Sequence, residues 1–153
     1  MQETSVVARQ QYNPNQPSPH SRRNKILRVL WTFVWWLLFR PSPKPLHQWR
    51  CVLLRLFGAK IGKNVHPYPS AKIWAPWNLE MADGSCLADN TDCYCVSQIK
   101  IGKHSTVSQY SYLCGATHDY EHPQMPLVAA PIIIGDHVWI TADVFIAPGV
   151  TIG

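Results

Sequence analysis

The segment Cys114-Gly115-Ala116-Thr117-His118-Asp119 holds the side chain best suited to proton chemistry near neutral pH. The unperturbed pKa of imidazole lies closest to neutrality, so His118 could take a proton from a hydroxyl as a general base. It stands where a regular pattern gives way to a proline-bearing segment, a placement that suits the edge of a cleft. From position alone, a solvated histidine is an equal reading. The remaining candidates are weaker: His104 and His137 fall at polar turn positions, and His122 lies inside the irregular segment. Cys93-Tyr94-Cys95 puts two thiols on one face of a strand, but no second pair of matching spacing completes a zinc site. These cysteines read as small buried or half-buried thiols.

The elements that must position His118 follow from a six-residue period. Ile101-Gly102-Lys103-His104-Ser105-Thr106-Val107 is echoed by Ile134-Gly135-Asp136-His137-Val138-Trp139-Ile140 and again from Ile146 to Gly153. One phase runs Ile61, Pro67, Ile73; a second Met81, Leu87, Cys93; a third Ile101, Val107, Leu113; a fourth Ile134, Ile140, Ile146, Ile152. Period six fits neither the 3.6-residue helix nor a heptad. It is the signature of a parallel β-helix, whose stacked coils each bury one aliphatic residue per unit. The phase slips by two residues twice, which predicts bulges at coil corners, and by fifteen between Leu113 and Ile134. The large slip predicts a loop ejected from the solenoid over roughly residues 119–133. Short turns are expected at Gly102, Asp83-Gly84 and Pro148-Gly149.

A chain of 153 residues has room for one domain and an appendage. Residues 1–60 carry ten Lys/Arg against Glu3 alone, whereas residues 61–153 carry four Lys against eight Asp/Glu. The basic character therefore belongs to an N-terminal arm, and the acidic solenoid argues against nucleic-acid binding. Five cysteines with no secretion signal ahead of them fit a reducing compartment, and hence the cytoplasm. Residues 1–24 are polar and proline-bearing and are expected to be disordered.

Residues 25–60 form the arm, ahead of a solenoid at 61–153. Ile26 to Phe39 is almost continuously apolar, yet too short to span a bilayer, which takes about twenty residues. Arg22, Arg23, Lys25, Arg28 and Arg40 bracket it, with Trp31, Trp35 and Trp36 inside, as in a helix lying in the membrane interface. Pro41, Pro43 and Pro45 stop that helix. A second helix is expected to place Leu46, Trp49, Val52, Leu53, Leu56 and Phe57 on one face, ending at Gly58. Two roles stay open: capping the first coil, or capping combined with peripheral docking of residues 26–57 on a membrane, here the inner face of the cytoplasmic membrane.

Five segments carry a family resemblance over about residues 25–153: Phe39-Arg40-Pro41-Ser42-Pro43, Leu56 to Gly62, Ile73-Trp74-Ala75-Pro76-Trp77-Asn78-Leu79, Leu113 to Asp119, and Ile134 to Ile140. On these the chain resembles the left-handed β-helix (hexapeptide-repeat) acyltransferases. More narrowly it resembles the colanic acid biosynthesis acetyltransferases, relatives of the maltose and galactoside O-acetyltransferases. The resemblance implies a left-handed parallel β-helix with a helical arm and one ejected loop, working as a homotrimer with sites between adjacent solenoids. It implies an O-acetyltransferase that uses acetyl-CoA, without a metal, on a sugar hydroxyl in exopolysaccharide biosynthesis, with a sugar or lipid-linked glycan as acceptor. His118 matches the catalytic histidine. Trp139 and Ala142 match positions lining the acetyl-CoA channel, although Trp139 could equally anchor the trimer interface. Asp92 is the candidate contact for the acceptor sugar, against the reading of a solvated corner carboxylate. Asp119 could orient His118 only across a turn, because neighbours on a strand point to opposite faces.

Where such relatives commonly have Asn, this chain has Cys95, so no polar role is carried over to it. The family also continues past Thr151-Ile152-Gly153 with further coils and a closing segment that helps bind CoA. The expectation is therefore a fragment, or a truncated product with impaired CoA binding. Two alternatives compete with the enzyme reading: a catalytically silent trimer or membrane-surface scaffold, and a γ-type carbonic anhydrase. The latter needs three histidines on a metal, a spacing that His104, His118 and His122 match poorly.

Overall fold

Every sixth residue turns inward, and the chain between must bend to keep it there. In the computed structural model, which describes residues 21–121 and 125–153, this produces four coils and the start of a fifth. The first coil holds β1 (Lys60–Ile61), β2 (His66–Pro67) and β3 (Lys72–Ile73), and the second β4 (Leu79–Met81), β5 (Cys86–Leu87) and β6 (Asp92–Tyr94). The third holds β7 (Ile99–Ile101), β8 (Thr106–Val107) and β9 (Tyr112–Cys114). A hairpin, β10 (Ala116–His118) and β11 (Leu127–Ala129), precedes the fourth coil. That coil is β12 (Ile132–Ile134), β13 (Trp139–Ile140) and β14 (Phe145–Ile146), and β15 (Thr151–Ile152) opens the next.

Corresponding strands stack in parallel into three sheets: β1-β4-β7-β12-β15, β2-β5-β8-β13 and β3-β6-β9-β14. The register pairs the four phases of the repeat, with Pro67 on Leu87, Leu87 on Val107 and Val107 on Ile140 in the second sheet. Ile73, Cys93, Leu113 and Ile146 form the matching inward column of the third sheet. The fold is the left-handed parallel β-helix. The corner between the first and second sheets takes a left-handed backbone at Asn64, Gly84, His104 and His137, and the last two stack their rings at 5.3 Å.

All three slips of the repeat fall at one corner, between the third sheet and the first. Residues 74–78 occupy it in the first coil, with a 3₁₀ turn at Pro76–Asn78, and residues 95–98 in the second. Asn78 Nδ2 joins these two by donating to Cys95 O (3.0 Å) and Val96 O (2.9 Å). The third insertion is the ejected segment. It differs from the expected loop in starting at Ala116 as a hairpin strand, while Ile132–Ile134 belong to the solenoid.

The arm consists of α1 (Arg22–Val34), a π-helical turn at Trp35–Phe39, and α2 (His47–Leu56). Residues 1–20 of the expected tail lie outside the described residues; the Ser21 hydroxyl accepts from Asn24 N (3.2 Å) and starts α1 at Arg22. Coil N–H groups donate toward the next coil, as from Gly62 N to Met81 O, so the first coil is left with carbonyls that have no strand partner. The arm supplies the donors. Arg55 serves Ile61 O and Gly62 O, Arg50 Nε serves Pro67 O, Trp35 Nε1 serves Ala71 O and Trp31 Nε1 serves Ile73 O. Capping of the open end is thus built from specific hydrogen bonds as well as apolar packing.

The face expected of α2 needs correction. Arg50, Cys51, Leu53 and Leu54 are the buried residues, whereas Leu46, Trp49, Val52 and Leu56 are exposed. Fully buried Arg50 turns the helix: its guanidinium must reach Pro67 O and the carbonyls of Pro43 and Lys44. The most apolar stripe therefore points away from the coils.

Candidate functional site

His118 ends β10, whose register pairs it with Leu127 across the hairpin. The hairpin leaves the solenoid at Gly115, whose N–H donates to Tyr94 O (2.9 Å). A Cβ at this position would sit 2.7 Å from that carbonyl oxygen, so only glycine lets the backbone leave so close to the preceding coil. His118 is exposed, and its Nδ1 lies 2.7 Å from Met125 O. A carbonyl oxygen can only accept, so Nδ1 carries the hydrogen and neutral imidazole keeps its lone pair on Nε2. In that tautomer Nε2 is the ring nitrogen able to accept a proton, on a residue that is exposed. Asp119 does not assist: its N–H donates to Pro126 O (2.9 Å), and its carboxylate accepts from Glu121 N (3.1 Å).

Asp92 opens β6 on the outer face of the third sheet, between Lys72 of β3 and Tyr112 of β9. Burial pushes its carboxyl pKa up, partly opposed by the Lys72 charge. Beside it runs an aromatic column that sequence reasoning missed. Trp74 and Tyr94 lie 5.4 Å apart, Tyr94 and Tyr112 6.3 Å, and Tyr112 and Phe145 5.6 Å. Burial, with a hydrogen bond to Cys114, pushes the Tyr112 hydroxyl up to about 12. The signal was present, because each of these aromatics directly precedes or follows an inward position of the repeat.

Trp139 projects from the second sheet, 72% exposed, and donates from Nε1 to Ser108 Oγ (2.9 Å). Ala142 is exposed at the next corner, between the second and third sheets. Lower on that corner lies a polar cleft with Tyr68 and Tyr110 on its walls. In it Asp89 accepts from Lys44 (2.7 Å) and Ser70 (2.8 Å), and the Lys44 hydrogen bond holds its carboxyl below the usual range. All five cysteines are free; Cys95 is fully buried and exchanges hydrogen bonds with Ala75. Among the described residues no group of three or more His, Cys, Asp or Glu side chains could hold a metal ion, and His122 lies outside them.

No family model matches the sequence. Curated relatives do: "Putative colanic acid biosynthesis acetyltransferase WcaF" of Escherichia coli (strain K12), and its namesake in Shigella flexneri. Each is 48% identical over 130 residues, 85% of this chain and 71% of the relative. The chain belongs to the WcaF family of hexapeptide-repeat acetyltransferases. Among solved structures, a galactoside acetyltransferase in complex with coenzyme A superposes with a TM-score of 0.77 at 22% identity, over 88% of this chain and 68% of that one. A hexapeptide-repeat acetyltransferase of Vibrio cholerae complexed with acetyl coenzyme A gives 0.76 at 23%, over 88% and 73%. At such identities these two likenesses establish the fold.

In this WcaF-family chain the expected site residues do not converge. His118 sits at the corner between the third and first sheets, and the second sheet, with Trp139, forms the opposite side of the prism. Ala142 borders that same far side. Asp92 shares the third sheet with the strand leading to His118, but its cross-strand neighbours are Lys72 and Tyr112.

Proposed function

We propose that the chain transfers an acetyl group from acetyl-CoA to a sugar hydroxyl in the biosynthesis of a colanic-acid-like exopolysaccharide, with His118 as general base. The observation that carries the reading is the Met125 carbonyl on Nδ1, which leaves Nε2 as the proton-accepting nitrogen of an exposed histidine in a WcaF-family chain. Acetyl-CoA would supply the thioester carbonyl. Nε2 would take the proton of the acceptor hydroxyl as its oxygen bonds to that carbon. The imidazolium would then return the proton to the departing CoA sulfur as the C–S bond breaks. Rate would come from positioning and proton transfer rather than a covalent enzyme intermediate.

The separation of His118 from Trp139 and Ala142 supports a homotrimer as the working form. One chain would contribute the histidine, and its neighbour the indole and the small corner residue beside the pantetheine arm. A flat, exposed Trp139 fixed by Ser108 suits that wall, and suits a subunit contact equally. Asp92, with the aromatic column next to it, would meet the acceptor. The acceptor fits a lipid-linked glycan, with residues 26–57 at the surface of the membrane that carries it. The test is cross-complementation of impaired variants, read at acetyl-CoA well below the raised KM of Trp139→Ala. A mixture of His118→Ala and Trp139→Ala chains, unfolded and refolded together, should recover part of the activity that each lacks alone under that condition. No recovery from mixed trimers would overturn the shared site.

A further inference from the structure

The arm's packing leaves a second apolar face whose direction is set by the first. Along α1 and the turn after it, Trp31, Trp35 and Phe39 are buried against the coil, while Val29, Phe33, Trp36 and Leu37 are exposed on the opposite side. Along α2 the same division separates Cys51 and Leu54 from Val52 and Leu56. The Trp49 indole donates to Leu38 O (3.0 Å), which ties the outer stripes of the two helices together. An exposed apolar surface of this extent calls for a partner.

The direction follows from the capped carbonyls. They point along the solenoid axis, out of the first coil, and Trp31, Trp35, Arg50 and Arg55 reach them from that end. The inner face of the arm therefore looks up the axis, and the outer face looks away from every coil. Charge identifies the occupant. Residues 21–60 contain no Asp or Glu, and Arg22, Lys25 and Arg40 are exposed around the stripe. Arg40 also lies over the Trp36 ring, 4.6 Å from its centre. Apolar residues rimmed by cations and tryptophan match an anionic bilayer surface. Because half of each helix is committed to the coil, the arm can lie in that surface but not cross it.

We infer that the protein docks end-on on anionic membrane, with the outer face of both arm helices in the lipid interface and the solenoid standing upright on it. The inference rests on the membrane association proposed above and adds its orientation and lipid requirement. Parallel solenoids in a trimer would set three such faces in one plane, multiplying the affinity of each. Coils rise by about 4.8 Å each, so the base of the hairpin that bears His118, which leaves the solenoid after the third coil, would stand about 10 Å above the first coil and farther still from the lipid. The acceptor hydroxyl would then belong to a sugar held off the bilayer surface, not to the group next to the lipid.

The test is flotation of the full chain with vesicles of phosphatidylcholine, with and without a quarter of phosphatidylglycerol. Binding should need the anionic lipid, weaken with salt, and fall about tenfold or more in Phe33→Glu/Leu37→Glu, whose positions are exposed and leave the folded signal intact. Brominated lipid should quench the native protein and Trp139→Phe, but far less a Trp36→Phe/Trp49→Phe double variant. Quenching that persists in the double variant would overturn the end-on orientation. Failure to bind anionic vesicles, with sedimentation doubling through arm-to-arm contact, would show that a second copy covers the face. Acetyl transfer to a soluble glycan is read separately, so loss of docking with transfer intact refutes this inference alone.

Discussion

Replacing Arg50 with Met tests whether the arm is held to the solenoid by hydrogen bonds as well as by apolar packing. The side chain is fully buried and donates from Nε to Pro67 O (2.7 Å), from Nη1 to Ser42 Oγ and Pro43 O (both 2.8 Å), and from Nη2 to Lys44 O (2.5 Å). Methionine keeps much of the stem volume and removes every donor. A buried acceptor left without a partner costs about 1–3 kcal/mol, and hydrogen bonds from a charged donor contribute about 1.5–3 kcal/mol each. Two terms reduce the total: removing a buried charge recovers desolvation energy, and the carbonyls of Pro43 and Lys44 belong to exposed residues that water can reach. The balance is a loss of about 2–4 kcal/mol. Arg55→Met is the control, since Arg55 is exposed and water can replace its bonds to Ile61 O and Gly62 O; its cost should stay under about 1 kcal/mol. Urea unfolding at equal protein concentration, followed by far-ultraviolet circular dichroism and tryptophan fluorescence, gives both values. If the two variants lose the same stability, the arm is held by packing alone and the argument is wrong.

Three further outcomes are expected. Gly115→Ala should cost about 1–3 kcal/mol in thermal unfolding, because the new Cβ would press on Tyr94 O at 2.7 Å. Trp139→Ala should leave stability within about 1 kcal/mol, given its exposure, while raising KM for acetyl-CoA; a change in sedimentation with KM unmoved would assign it to the subunit contact instead. Burial raises the Asp92 pKa, so the folded state binds its proton more tightly than the unfolded chain does. Its contribution to stability therefore falls as pH rises through the window from 3.8 up to the raised folded value. Over that window the melting temperature of Asp92→Asn should gain on that of the native protein, and parallel curves would refute this.

The solenoid was legible because its inward positions obey one rule throughout. Residues as different as Pro67, Cys93 and Leu113 occupy the same slot, and all three are buried. The slips were legible as corners, though not their gathering at a single corner, since that depends on how the coils stack. The buried face of α2 is not legible from apolarity, which alone orders its stripes, because buried Arg50 chooses between them by reaching Pro67 O. The pairing of β10 with β11 leaves no mark on the repeat, for these strands are three residues each and pair only with one another. Of the expected site residues, His118 was placed by its motif at the end of a repeat. Its tautomer depends on Met125 O, a contact that no spacing in the sequence specifies.

The most direct test of the account is transfer of labelled acetyl from acetyl-CoA to membrane-bound glycan by the native chain and by His118→Ala. His118 is exposed, so the variant should fold normally, and its rate should drop by about 10²–10⁴-fold, as expected on removing a general base. Equal transfer by the two proteins would contradict the role given to His118.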